Sequence, residues 1–115
     1  MIKQALNILG TEYTLCIASQ QEEPALEKVD GFCDHTSKRL VVIAEDREAA
    51  PAAFDDFTAY QRKVMRHEII HAFLNESGLR ENWEHRVGHD ETYVDWIAVQ
   101  FPKLARIFED AGCTT

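Results

Sequence analysis

Residues 67–71 read His67-Glu68-Ile69-Ile70-His71, an H-E-x-x-H pattern, and it constrains the chain more tightly than any other feature. A shuffled chain with five His and twelve Glu in 115 residues contains it about 0.02 times, so chance is a poor explanation. On an α-helix, residues four apart stand one turn above each other on one face, so two imidazoles at this spacing reach a single metal ion. The intervening Glu68 then sits beside the ion rather than on it, where it can take a proton from a water that the metal activates.

That reading requires a helix, and the surrounding residues predict one. Asp55 or Asp56 supplies an N-cap, the segment runs to about Ser77, and Gly78 is suited to the position just past the end. On a helical wheel Phe57, Tyr60, Val64 and Leu74 share the arc of His67 and His71. Met65, Ile69 and Ala72 occupy the opposite arc, with Phe73 beside it. A helix apolar on two sides is expected to lie between other elements, which would hold a metal site rigidly. Arg62, Lys63 and Arg66 fall on one arc and read as its solvated face.

The first forty-odd residues read as strands. Residues 1–9 are too short to assign and end at Gly10; Thr11 to Ser19 alternates and is β-rich; Gln20 to Asp30, with Pro24, reads as a loop. Gly31 to His35 is a second strand candidate, Thr36 to Lys38 a turn, and Arg39 to Ala44 the clearest strand. The expectation is a small antiparallel meander. Leu40-Val41-Val42-Ile43 fits either a buried strand or, beside the metal-bearing helix, an edge along which a peptide adds as a further strand. Glu45 to Ala53 is a connector. Beyond the first helix, Arg80 to His89 reads as a polar loop. A second helix starts near Asp90, and Pro102 either kinks it or opens a new one.

A metal that does chemistry usually has three protein ligands and an open position. Candidates for the third are His85, His89, Asp90, Glu91 and Asp95. A ligand fixed on a helix is held better than one on a loop, which favours Glu91 or Asp95. These two are one turn apart, so one can bind the metal while the other orients a ligand histidine through its free ring N–H. Tyr93, His85 and His89 are candidate donors to an oxyanion, but read more simply as surface or packing residues. Trp83 and Trp96 read as packing residues, and Cys33 with His35 is not expected to form a metal pair.

Composition narrows the function classes. A net charge of −8 and a balance of 20 acidic to 12 basic residues argue against a nucleic-acid surface. No stretch has the length and apolarity of a membrane span, and Met-Ile-Lys-Gln-Ala does not resemble a signal peptide. Cys16, Cys33 and Cys113 are odd in number and widely spaced, so reduced thiols and a cytoplasmic setting are expected rather than a disulfide framework. One domain over residues 1–115 fits the length.

The second half of the site carries a resemblance. H-E-x-x-H followed after about twenty residues by Glu91-Thr92-Tyr93-Val94-Asp95-Trp96-Ile97-Ala98-Val99-Gln100-Phe101-Pro102 resembles the ImmA/IrrE-type metallopeptidases of bacteria, phages and mobile elements. Their pattern here is E-x-x-A-[N/D]-x-F-A-x-x-L-x-P. Val94 replaces its small Ala, and Pro102 comes one residue early. The likeness spans residues 60–102 and is to the small stand-alone form. It implies a gluzincin site in which His67, His71 and Glu91 hold Zn²⁺ and Glu68 is the general base, with Asp95 standing at the family's Asn/Asp position. The fold it implies is α+β, a minimal zincin-like domain with a small antiparallel sheet on a buried H-E-x-x-H helix and C-terminal helices. The activity it implies is zinc-dependent hydrolysis of a peptide or protein substrate. The alternative is a non-catalytic zinc module whose site is closed by a fourth ligand such as Asp95 or His89.

Overall fold

Four consecutive apolar side chains, Leu40 to Ile43, are all buried, which requires cover on both faces of the strand that carries them. The computed structural model, which describes residues 1–45, 54–80 and 90–115, places that strand in the middle of a sheet. Strands β1 (Ile2–Ile8), β2 (Thr11–Ala18), β3 (Gly31–Asp34) and β4 (Arg39–Ile43) are arranged in the order β1-β2-β4-β3. β1 and β2 form an antiparallel hairpin, closed by Leu9 and Gly10, both at positive φ. β3 and β4 are also antiparallel, but β4 lies parallel to β2, with Leu15 opposite Leu40 and Ile17 opposite Val42.

The sheet is therefore mixed, not the antiparallel meander expected from strand order. A meander would leave β4 at the edge with half its apolar run exposed. Instead, the segment after β2 carries a 3₁₀ turn, Pro24–Glu27, whose Leu26 is fully buried among Cys16, Ala18, Val41 and Ile43. That cover lets β4 insert between β2 and β3. β4 is thus not the edge strand that sequence left open for it; β3 is.

The opposite face of the sheet, with Tyr13, Leu15, Leu40 and Val42, packs on Val64 and Ala72 of α1 (Phe57–Glu76). Asp56 caps α1 by accepting from the Ala59 N–H at 3.0 Å, and Gly78 follows the end at φ +83°, as the sequence predicts. The far end of α1 is pinned to the sheet by Glu76. Its Oε1 accepts from Tyr13 Oη and Lys38 Nζ, both at 2.7 Å, and its Oε2 from Thr11 Oγ1 at 3.1 Å. Those donors hold its carboxyl down at about 2, and burial pushes the Tyr13 phenol up.

Helix α2 (Glu91–Asp110) starts at Asp90, whose side chain accepts from the Thr92 N–H at 2.6 Å. It buries Val94 and Ala98 and packs along α1. Pro102 lies inside it and neither ends it nor opens a new helix. A proline has no N–H for the carbonyl four residues back, here that of Ala98. That oxygen accepts instead from Arg66 Nε of α1 at 2.6 Å. Lys63 likewise reaches α2, at 2.9 Å from Asp95 Oδ1. Lys63 and Arg66 are thus interhelical contacts and not the solvated face read from the sequence. Trp96, expected to pack, is 56% exposed. Among the described residues, no helix is long and apolar enough to cross a membrane.

Candidate metal centre and its cleft

His67 and His71 project from α1 toward the first turn of α2, where Glu91 meets both. His67 Nε2 lies 3.0 Å from Glu91 Oε2, His71 Nε2 lies 2.9 Å from Glu91 Oε1, and the two Nε2 atoms are 3.2 Å apart. Glu91 meets the two imidazoles with different carboxylate oxygens, so the three side chains converge on one point from both helices. Two imidazole nitrogens and a carboxylate oxygen are also a donor set that suits zinc. All three ligand atoms fall within 4.8 Å of one another. The three residues could together hold a metal ion.

The remaining ring nitrogen of His67 is also engaged: its Nδ1 is 3.2 Å from Asp95 Oδ1. Lys63, and secondarily His67, hold the Asp95 carboxyl below its usual range, so it is ionised and can only accept. Nδ1 donates to it, which leaves Nε2, facing the cluster, as the nitrogen that could ligate a metal. Asp95 is a second partner to His67 and not a member of the ligand set. Asp90, another third-ligand candidate, is the cap of α2.

Glu68 occupies a different environment. It continues the buried stripe Val64–Glu68–Ala72, one residue per turn, and only 6% of it is exposed. Burial pushes its carboxyl up to about 7; the nearby His67 opposes this and Glu91 adds to it. A dication bound by its neighbours acts in the lowering direction. Holding the ionised form here costs up to about 3 kcal/mol, comparable with the roughly 1.5–3 kcal/mol that burial of Val64 returns one turn away. The helix can thus keep a carboxylate against the sheet without giving up its packing.

β3 passes directly over this stripe. A Cβ on Gly31 would meet Val64 Cγ1 at 2.8 Å, Val41 O at 3.0 Å and Glu68 Cγ at 3.2 Å. Only glycine allows the strand this close. Along β3 runs a cleft of about 490 Å³, with His67, Glu68, His71 and Glu91 in its wall. A recess of about 240 Å³ shares Gly31, His67 and Glu68 and adds Tyr60, Lys63 and Asp95. The cluster therefore opens onto a groove bordered by an edge strand.

The cleft also holds residues that the sequence did not bring forward. Asn75 stands one turn beyond His71, so the i+4 spacing that selected the histidines would have found it. Its Nδ2 donates to Cys33 Sγ at 3.5 Å, and its Oδ1 is buried without a partner among the described residues. Burial, the largest influence, pushes the Cys33 thiol up to about 11. Arg80 Nη1 contacts His35 Nδ1. Cys33 and His35 are not part of the His67, His71 and Glu91 group. Tyr93, 44% exposed on α2, is not among the residues lining the cleft. Trp83, His85 and His89 lie outside the described residues.

No protein-family model, no curated protein and no solved structure matches the chain. The candidate site rests on its own geometry.

Proposed function

We propose that the protein is a zinc-dependent metallopeptidase. The observation that carries this reading is the convergence of His67, His71 and Glu91 beside the buried Glu68 in the wall of an open groove. In this reading the three residues hold Zn²⁺, and Asp95 fixes the His67 ring. When bound, the ion supplies Lewis acidity, making water more acidic and a scissile carbonyl more electrophilic. Glu68 accepts the proton of the attacking water on its carboxylate and returns it to the departing amine nitrogen. The peptide lies as an added strand along the outer edge of β3, where its main chain finds hydrogen-bonding groups.

The likeness of residues 60–102 to ImmA/IrrE-type metallopeptidases supports a zincin-like, gluzincin assignment of the same residues. Three free cysteines support work in the cytoplasm on a peptide or protein substrate. A closed, non-catalytic zinc module would need a fourth protein ligand. Asp95, the described candidate, is engaged by His67 Nδ1 and Lys63, and this favours the catalytic reading.

The test is Glu68→Gln, assayed for zinc by elemental analysis and for cleavage of a peptide library by mass spectrometry. The variant is expected to retain zinc and lose cleavage. Cleavage at the wild-type rate would overturn the role of Glu68.

A further inference from the structure

We infer that Arg80 makes the groove selective for peptides that present a carboxylate next to the bond to be cut. The inference rests on the metallopeptidase reading and names the substrate class for that site. Besides the His67, Glu68, His71 and Glu91 group, the cleft is lined by residues that include Cys33, Asn75 and Arg80. Arg80 is the only cationic side chain among these lining residues. The protein carries 20 acidic residues against 12 basic ones, so a guanidinium facing the groove would be expected to find a carboxylate in its own chain. Among the described residues its side-chain contact is instead His35 Nδ1. A guanidinium has only donors to offer, so the imidazole nitrogen accepts, steadies the side chain and, among the described residues, leaves the positive charge without a carboxylate partner.

Guanidinium groups recognise carboxylates with paired N–H donors and carry their charge at every accessible pH. The same cleft holds Glu68 and Glu91. A bound peptide with a carboxylate is drawn to Arg80, which sets its direction as well as its identity. Asn75 adds to this. Its amide has a weak sulfur acceptor on one side and, among the described residues, no partner on the other, in the same wall. The amide can turn its nitrogen toward a ligand oxygen at the loss of the weak thiol contact and of its interaction with Tyr13. The carboxylate can come from an Asp or Glu side chain or from the free C-terminus of a short peptide, and both present the same two oxygens.

The experiment uses the full zinc-loaded chain and synthetic peptides that carry Glu, Gln or Lys at each position in turn, with free or amidated C-termini. kcat/KM is expected to favour a carboxylate on one side of the cut over its amide by on the order of tenfold. Loss of the preference on amidation assigns it to the C-terminus, and loss on Glu to Gln assigns it to the side chain. Arg80→Gln should bring the ratio close to one, Arg80→Lys should retain part of it, and Arg80→Glu should reverse it toward Lys peptides. A ratio that Arg80→Gln leaves unchanged overturns the inference while hydrolysis stands. Binding of the same peptides to Glu68→Gln protein, read by fluorescence anisotropy with and without Arg80→Gln, separates the two readings. Charge-selective binding without hydrolysis by the wild type removes the peptidase reading and keeps the carboxylate site. Absence of both charge-selective binding and charge-selective cleavage overturns the site.

Discussion

Glu68 is buried in the same stripe as Val64 and Ala72, so its ionisation should be visible as a pH-dependent loss of stability. Burial raises its folded-state pKa from 4.5 to about 7. Between these values the folded chain holds a proton that the unfolded chain has released. Stability contributed by the protonated form is therefore complete below about pH 4.5 and is lost as pH rises to about 7. At roughly 1.4 kcal/mol per pH unit, the loss approaches about 3 kcal/mol at pH 8 and is under about 1 kcal/mol at pH 5. That is a large share of the roughly 5–15 kcal/mol available to a small domain. Glu68→Gln removes the charge and keeps the shape. In urea titrations with a chelator present, the variant should nearly match wild type at pH 5 and exceed it by up to about 3 kcal/mol at pH 8. Comparing the two proteins at each pH cancels the titrations they share. Added zinc should narrow the gap, because a dication favours the ionised carboxylate. Parallel curves for the two proteins from pH 5 to 8 would refute the argument that burial dominates at this position.

Asp95→Ala removes the acceptor for His67 Nδ1, and zinc affinity measured by competition with a chromophoric chelator should fall about 10- to 100-fold; unchanged affinity would mean that the His67 ring is held by something else. Gly31→Ala forces a Cβ against Val64, the Val41 carbonyl and Glu68. It should cost about 1–3 kcal/mol in denaturant titrations, and a variant as stable as wild type would show that β3 can move away from α1.

What the sequence made legible was what one segment decides for itself. The ends of α1 follow from Asp56 and Gly78, the start of α2 from Asp90, and the pairing of His67 with His71 from the helical repeat. Glu91 could be brought forward because its place at the start of a helix is a local property. The parallel β2–β4 pairing was not legible, because it depends on Leu26 covering a face that no strand-by-strand reading assigns. Lys63 and Arg66 were misread for a related reason. A helical wheel sorts faces but does not say which face a second helix will cover. Arg80 and Gly31 matter to the groove only because β3 and the end of α1 line the same space.

The meeting of Arg66 with the Ala98 carbonyl has a consequence for how the chain can vary in length. Pro102 frees that carbonyl, so Arg66 has one place along α2 at which to dock, and Glu91 is carried to the histidines by the helix leading up to it. Inserting or deleting a residue between Glu91 and Pro102 would rotate Glu91 by about 100° and shift it by about 1.5 Å relative to that docking point. The ligand would leave the histidines although none of the site residues had been changed. The tail of α2 beyond Pro102 is under no such restriction, whereas the stretch before it is a ruler of fixed length.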